Sequence, residues 1–119
     1  MPSIDQLTIS VQSGNPDVTS VFVFDASGRV TASSRHDDLL EVATAMMVPL
    51  RDLLEHTAAA VGCGAMRATL LVGTEASLAI ADIDGERAVG VVGRRGAPPG
   101  SLMSDALWLA DALATSEAA

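Results

Sequence analysis

Between Val21 and Ser34 the chain reads VFVFDASGRVTASS, four apolar residues, a polar break, and a return in which apolar and polar positions alternate. Side chains of a strand project alternately to its two faces, so Val21 and Val23 share one face and Phe22 and Phe24 the other. Both faces are apolar, which predicts a strand covered on both sides and central in its sheet. Asp25 to Gly28 supplies the turn, and Arg29 to Ser33 returns as a second strand. Three more strands are signalled by MRATLLVG, ASLAIADI and RAVGVVG. GTEA separates the first two, and DGE around Asp84 and Gly85 joins the last two in a hairpin, so the three form an antiparallel meander.

The spacing changes to a helical period from Asp38 to Val61. Asp38 stands at a capping position, Glu41 follows three residues later in a capping-box arrangement, and Gly62 ends the run. At 100° per residue, the apolar positions from Leu39 to Val61 fill an arc of roughly 160°, wider than the ~100° stripe that one core contact needs. Val42, Met46 and Leu53 lie at one margin of that arc, and Leu40, Met47, Leu54 and Ala58 at the other. One sheet does not easily cover such an arc, and symmetric self-association is the commonest second cover. Leu40, Met47, Leu54 and Ala58 are therefore the expected dimer interface. Pro49 withdraws a hydrogen bond from the Ala45 carbonyl and is expected to bend the helix or split it.

At the two ends the signals differ in strength. Ile4, Leu7 and Val11 keep helical spacing while Leu7, Ile9 and Val11 alternate like a strand, so residues 4–12 stay open between helix and strand. SGNPD, Ser13 to Asp17, then breaks the chain. After APPG, Ser101 is expected to cap a last helix carrying Leu102, Ala106, Leu109, Ala110 and Leu113, with a frayed tail over 114–119. The expected fold is α+β, a five-stranded antiparallel sheet with a long helix between strands two and three and a C-terminal helix.

Length and composition narrow the function classes. The 119 residues fit one domain, 1–119, with 1–15 as an N-terminal segment. At 49% hydrophobic and 18% charged the composition is globular, and its apolar runs are too short to span a bilayer. MPSIDQLTIS has no basic region followed by an apolar stretch, and the single cysteine, Cys63, allows no internal disulfide. Both features predict a cytoplasmic protein without a membrane partner. Seven basic against fifteen acidic residues give a formal charge of -8, which repels phosphate backbones and anionic headgroups, so nucleic acid is not an expected partner either.

Candidate chemistry is sparse. His36 and His56 have no third ligand at metal spacing; the plain expectations are a loop for His36 and a solvent-facing His56 beside Asp52. Cys63, between two glycines, reads as a small buried residue at the helix exit. No glycine run has the phosphate-loop form that opens a helix with a lysine, so the chain is not expected to bind GTP itself. The acidic pairs Asp37/Asp38 and Asp82/Asp84 sit at cap and turn positions, where carboxylates serve structure. No catalytic group, metal or cofactor is expected. Trp108 falls about 240° from Leu102, off the apolar stripe of its helix. It and the arginines of GRRG, Arg94 and Arg95, are the candidate partner contacts, each read against a plain alternative of loop cover or a solvated turn.

The order of elements, with VTSVFVFDASGRVTASS, the long helix ending VGCGAMRATLLVG, and ASLAIADIDGERAVGVVG, resembles the Roadblock family of dynein light chains and bacterial small-GTPase regulators, which has a profilin-like architecture. The resemblance spans nearly the whole chain and rests on hydrophobic rhythm and the hairpin glycine Gly28. It implies a homodimer in which sheets or long helices pair across a two-fold axis, acting as a platform or regulator for a Ras-like small GTPase. The rival expectation is a small ligand-sensing module of PAS- or GAF-like architecture. A buried polar pocket would favour that module, whereas two Phe, one Trp and no Tyr offer little to line one.

Overall fold

The computed structural model of the chain describes residues 3–35 and 38–118, and of Asp38, Leu39 and residues 116–118 the backbone only. The expected loop position of His36 and the expected cap at Asp37 and Asp38 lie outside what is described. Elements run α1 (Ile4–Gly14), β1 (Val18–Asp25), β2 (Val30–Ser33), α2 (Asp38–Ala60), β3 (Ala68–Val72), β4 (Ala76–Asp82), β5 (Arg87–Arg94) and α3 (Pro99–Ala118). The strands form one antiparallel sheet of order β2-β1-β5-β4-β3.

The ambiguous first segment is a helix. Ser3 accepts a hydrogen bond from the Gln6 amide while the Gln6 side chain accepts one from the Ser3 amide, a reciprocal cap that satisfies two otherwise orphaned donors. Leu7 and Val11 then face the sheet, whereas Ile9, which a strand would have placed beside them, is 55% exposed.

The double-sided apolar character of β1 matches its surroundings. Val21 and Val23 join a core with Leu7, Leu102, Leu109 and Leu113 under α1 and α3. Phe22 and Phe24 point the other way, into a smaller cluster with Met47, Ile80 and Ala88 under α2. Phe22 has Gly90 as its cross-strand neighbour on β5, and a methyl group there would stand 2.2 Å from the ring. The missing side chain makes the room that the aromatic ring fills.

Several helix boundaries differ from expectation. Helix α2 is continuous across Pro49 rather than split. Ala45 and Pro49 both lie on its exposed side, where water can satisfy the carbonyl that the proline leaves unbonded. At its C-terminus Gly62 has φ 82° and donates to the Ala59 carbonyl, while Cys63 donates to that of Ala58, so the last turn closes on the glycine as expected. Cys63 itself is exposed rather than buried, because the left-handed glycine turns the chain off the helix end into solvent. Helix α3 starts at Pro99, not at Ser101, since proline has no amide needing a cap in the first turn. It continues to Ala118 through the stretch expected to fray.

The β1–β2 turn is built for α2. Gly28 has φ 86°, and a Cβ on it would stand 2.9 Å from the Ala45 Cα. Thr44 of α2, fully buried, donates from Oγ1 to the Gly28 carbonyl at 2.6 Å. Gly85, in the β4–β5 turn, has the same φ of 86° with nothing within 4 Å. Gly85→Ala is therefore expected to cost about 1 kcal/mol from left-handed backbone alone. Gly28→Ala should cost at least about 1 kcal/mol more, because backbone of α2 must also move. Urea unfolding of the two variants measures the difference, and equal losses would remove the close approach as its cause.

Candidate interaction surface

The long helix decides what this molecule can offer a partner. Its inner side is held at three levels. Thr44 bonds to Gly28, Met47 fills the cluster of Phe22, Phe24, Ile80 and Ala88, and Arg51 reaches Asp82 at the end of β4. The Arg51 Nη2 to Asp82 Oδ1 distance is 2.7 Å, and the guanidinium lies over the Phe24 ring at 5.7 Å from its centroid. The second oxygen of Asp82 accepts the Gly85 amide at 2.9 Å, so one carboxylate ties α2 to the β4–β5 turn.

The expected interface is turned inward. Met47 is 7% exposed in the single chain, Leu40 packs against the same cluster, and Leu54 and Ala58 are half-buried. At about 100° per residue these four lie roughly opposite Val42, Pro49 and Leu53. The uncovered margin is the other one, where Val42, Met46 and Leu53 are 58 to 69% exposed. Thr44 and Arg51, polar and therefore outside the apolar arc, belong to the inner face because each has a partner on another element.

The sheet has an uncovered apolar strip of its own. Leu71 pairs with Leu78 and Thr69 with Ile80, which places Leu71 on the α2 side of the sheet. Leu71 and Val72 are exposed, and β3 is an edge strand paired in unbroken register only with β4. No proline or charge interrupts ATLLV, so the outer edge of β3 keeps none of the common devices that blunt a free strand.

Trp108 lies elsewhere. It is 55% exposed on α3, which covers the opposite face of the sheet from α2. Arg94 is bound to Asp17 at 2.7 Å, joining the end of β5 to the start of β1, and Arg95 is exposed in the following turn. The structure thus keeps Trp108 apart from the outward row of α2. Arg67 stands 3.6 Å from Asp111 of α3, and Arg87 2.9 Å from Asp84.

The acidic groups serve turns. Asp25 accepts from the Ser27 hydroxyl at 2.6 Å and from the Ser27 and Arg29 amides, and the hydroxyl bond foremost holds its carboxyl below the usual range. Burial pushes Asp84 upward, but Arg87 and the amides of the turn outweigh it and hold its carboxyl low. Both are ionised turn anchors, not proton donors near neutral pH. His56 is exposed beside Asp52, whose carbonyl oxygen lies 2.7 Å from Nδ1 and raises the imidazole pKa, with help from the Asp52 and Glu55 charges. Among the described residues no three potential ligands form a metal site, and no helix is long and apolar enough to cross a membrane. An open cleft of about 500 Å³ lies between α1 and the start of β1, lined by Ile9, Gln12, Ser13, Pro16, Val18 and Ser34. None of these side chains is ionisable.

A sheet of this order with one helix layer on each face makes this an α+β domain, and the same fold is found in Roadblock and profilin structures. The Roadblock/LC7 domain of Streptomyces avermitilis has a similar structure, with a TM-score of 0.85 at 18% identity, covering 99% of this chain and 100% of that one. MglB in a tetrameric arrangement matches with a TM-score of 0.84 at 15% identity over 98% of this chain and 90% of that one. Acanthamoeba castellanii profilin IA shares the architecture, with a TM-score of 0.72 at 14% identity over 97% of this chain and 99% of that one. No protein-family model matches the sequence, and no curated protein matches it.

The assignment of faces is tested by two neighbouring residues. Met47→Glu should bury a charge among Phe22, Phe24 and Ile80 and destabilise the fold by about 3 kcal/mol or more, whereas Met46→Glu should change stability by less than about 1 kcal/mol. Urea unfolding at a protein concentration too low for self-association checks this, and equal losses would reverse the assignment.

Proposed function

We propose that this protein is a non-enzymatic, homodimeric platform that regulates or tethers a Ras-like small GTPase in the cytoplasm. The observation that carries the proposal is the apolar row Val42, Met46 and Leu53 on the outside of α2. A monomer gains nothing by leaving large side chains exposed in a row, and a two-fold pair covers the same patch on both copies at once. The likeness to Roadblock/LC7 domains and to an MglB described in a tetrameric arrangement supports self-association. The Roadblock resemblance read from the sequence supplies the GTPase as partner. Trp108, with Arg94 and Arg95, remains the proposed contact for that partner, on parts of the molecule that α2 does not occupy.

Light scattering at micromolar concentration should give the mass of two chains for the wild type. Leu53→Glu should give one chain with an unchanged far-UV circular dichroism spectrum. A wild-type mass of one chain rejects the dimer, and an intact Leu53→Glu dimer rejects the surface. Pull-down from the native cell extract should retain a GTP-binding protein close to Ras in size, and its absence would reject the GTPase reading.

Regulation is proposed to work by contact, without a donated arginine. With that GTPase in single-turnover hydrolysis at saturating regulator, Ala at Arg67, Arg87, Arg94 or Arg95 should each lower turnover far less than the ~10³-fold loss of an arginine finger. One substitution that abolished stimulation while binding persisted would make the chain a catalytic activator.

A further inference from the structure

We propose that pairing through the outer face of α2 is tuned by protonation of His56, so that mild acidification tightens the dimer. The proposal rests on the dimeric reading above and adds the regulation of that same face.

Charge on this helix is one-sided. Helix α2 carries Asp38, Glu41, Asp52 and Glu55 against two groups able to hold a positive charge, Arg51 and His56. Arg51 is turned inward onto Asp82, whereas Glu41, Asp52, Glu55 and His56 are all exposed. His56 is thus the one side chain on the described outer face of α2 that can oppose its carboxylates. The groups facing it are Asp52, with Oδ2 at 3.9 Å, and Glu55, both on its own helix. Residues 55–57 and 59–65 are exposed, so no other element covers it, and the ionisable side chain that the sheet sets against α2, Asp82 of β4, is bound to Arg51 on the inner face.

A two-fold pair brings two copies of this acidic face together. With neutral imidazoles the added interaction between charges is repulsive. With protonated imidazoles each copy brings a cation towards the other's carboxylates, and the repulsion falls. Burying an imidazolium opposes this effect. At about 100° per residue, however, His56 lies between the apolar row and the acidic edge formed by Glu41 and Asp52. That is the rim of a contact centred on Val42, Met46 and Leu53, where water remains and the charge is not stripped of its shell. Coulombic relief therefore outweighs desolvation. Asp52 and Glu55 already raise His56 in the single chain, so the gain is complete below that raised value and is lost as pH rises through the still higher value that the partner's carboxylates give it in the pair.

Sedimentation equilibrium of the full chain at about pH 5.8 and about pH 7.8 tests the idea in the window where histidine titrates. The wild-type dissociation constant should be about fivefold lower at the acidic value. His56→Gln, an exposed and uncharged replacement, should remove the difference, while His36→Gln, altering the other histidine of the chain, should keep it. A wild-type dimer equally tight at both values, or a His56→Gln variant that keeps the full pH response, overturns the proposal and leaves the dimer standing. A wild type of single-chain mass at both values overturns the dimer and the proposal together.

Discussion

The packing of α2 on Phe22 and Phe24 is the contact on which the rest of the molecule depends. Strand β1 presents apolar side chains to both faces of the sheet, so each face needs its own cover. Helices α1 and α3 together close one face with a large contiguous core. The other face is left to α2 alone, whose contribution to the smaller cluster there is centred on Met47. Polar contacts make up part of the difference: Thr44 to the Gly28 carbonyl, and Arg51 to Asp82 over the Phe24 ring. Because each fixes a different turn of the helix, α2 has a defined rotation even though apolar burial beneath it is modest. The same economy leaves Val42, Met46 and Leu53 facing out and Leu71 uncovered on the sheet.

Most of the fold was legible because its signals are local. Alternation in VFVFDASGRVTASS, the DGE turn, and the glycine after α2 each act within a few residues, and the structure contains the elements they predict. The first helix was not separable from a strand by spacing, because Leu7 and Val11 satisfy both periods; what separates them is the Ser3–Gln6 cap, a short polar signal outside the apolar pattern. The rotation of α2 was illegible for a different reason. An apolar arc gives the width of a helix face and not which margin meets the sheet, and Met46 and Met47 are chemically identical in it. Thr44 and Arg51 decide the matter through partners 16 and 31 residues away. Polar residues on an inner face are the one class that a hydrophobic pattern counts on the wrong side. Cys63 was misplaced by a related shortcut, since small size suits a core but the backbone of Gly62 directs it outward.

Profilin and Roadblock domains share this architecture, so the sheet and its helices do not by themselves choose a function. What distinguishes one use of the scaffold from another is the surface it leaves open. Here the open surface is apolar on α2 and β3. Asp82 and Asp84 are held by turn amides and arginines, and the cleft beside α1 has no ionisable lining.

The two faces of the sheet also separate two tasks in the platform reading. The proposed self-association face is on α2, while Trp108 lies on α3 beyond the opposite face. A partner bound there would not compete with a second copy on α2. The arginines fit the same division. All seven basic residues of the chain are arginines, and four of them pair with aspartates of the chain itself: Arg51 with Asp82, Arg67 with Asp111, Arg87 with Asp84, and Arg94 with Asp17. The exposed pairs among these are each worth less than about 1 kcal/mol, so a partner could break one. Arg51 is different, because its guanidinium is half-buried on Phe24, and withdrawing it would release α2 from β4. The one arginine of α2 is thereby committed to holding the helix in place, and the described outer face is left with carboxylates and one histidine.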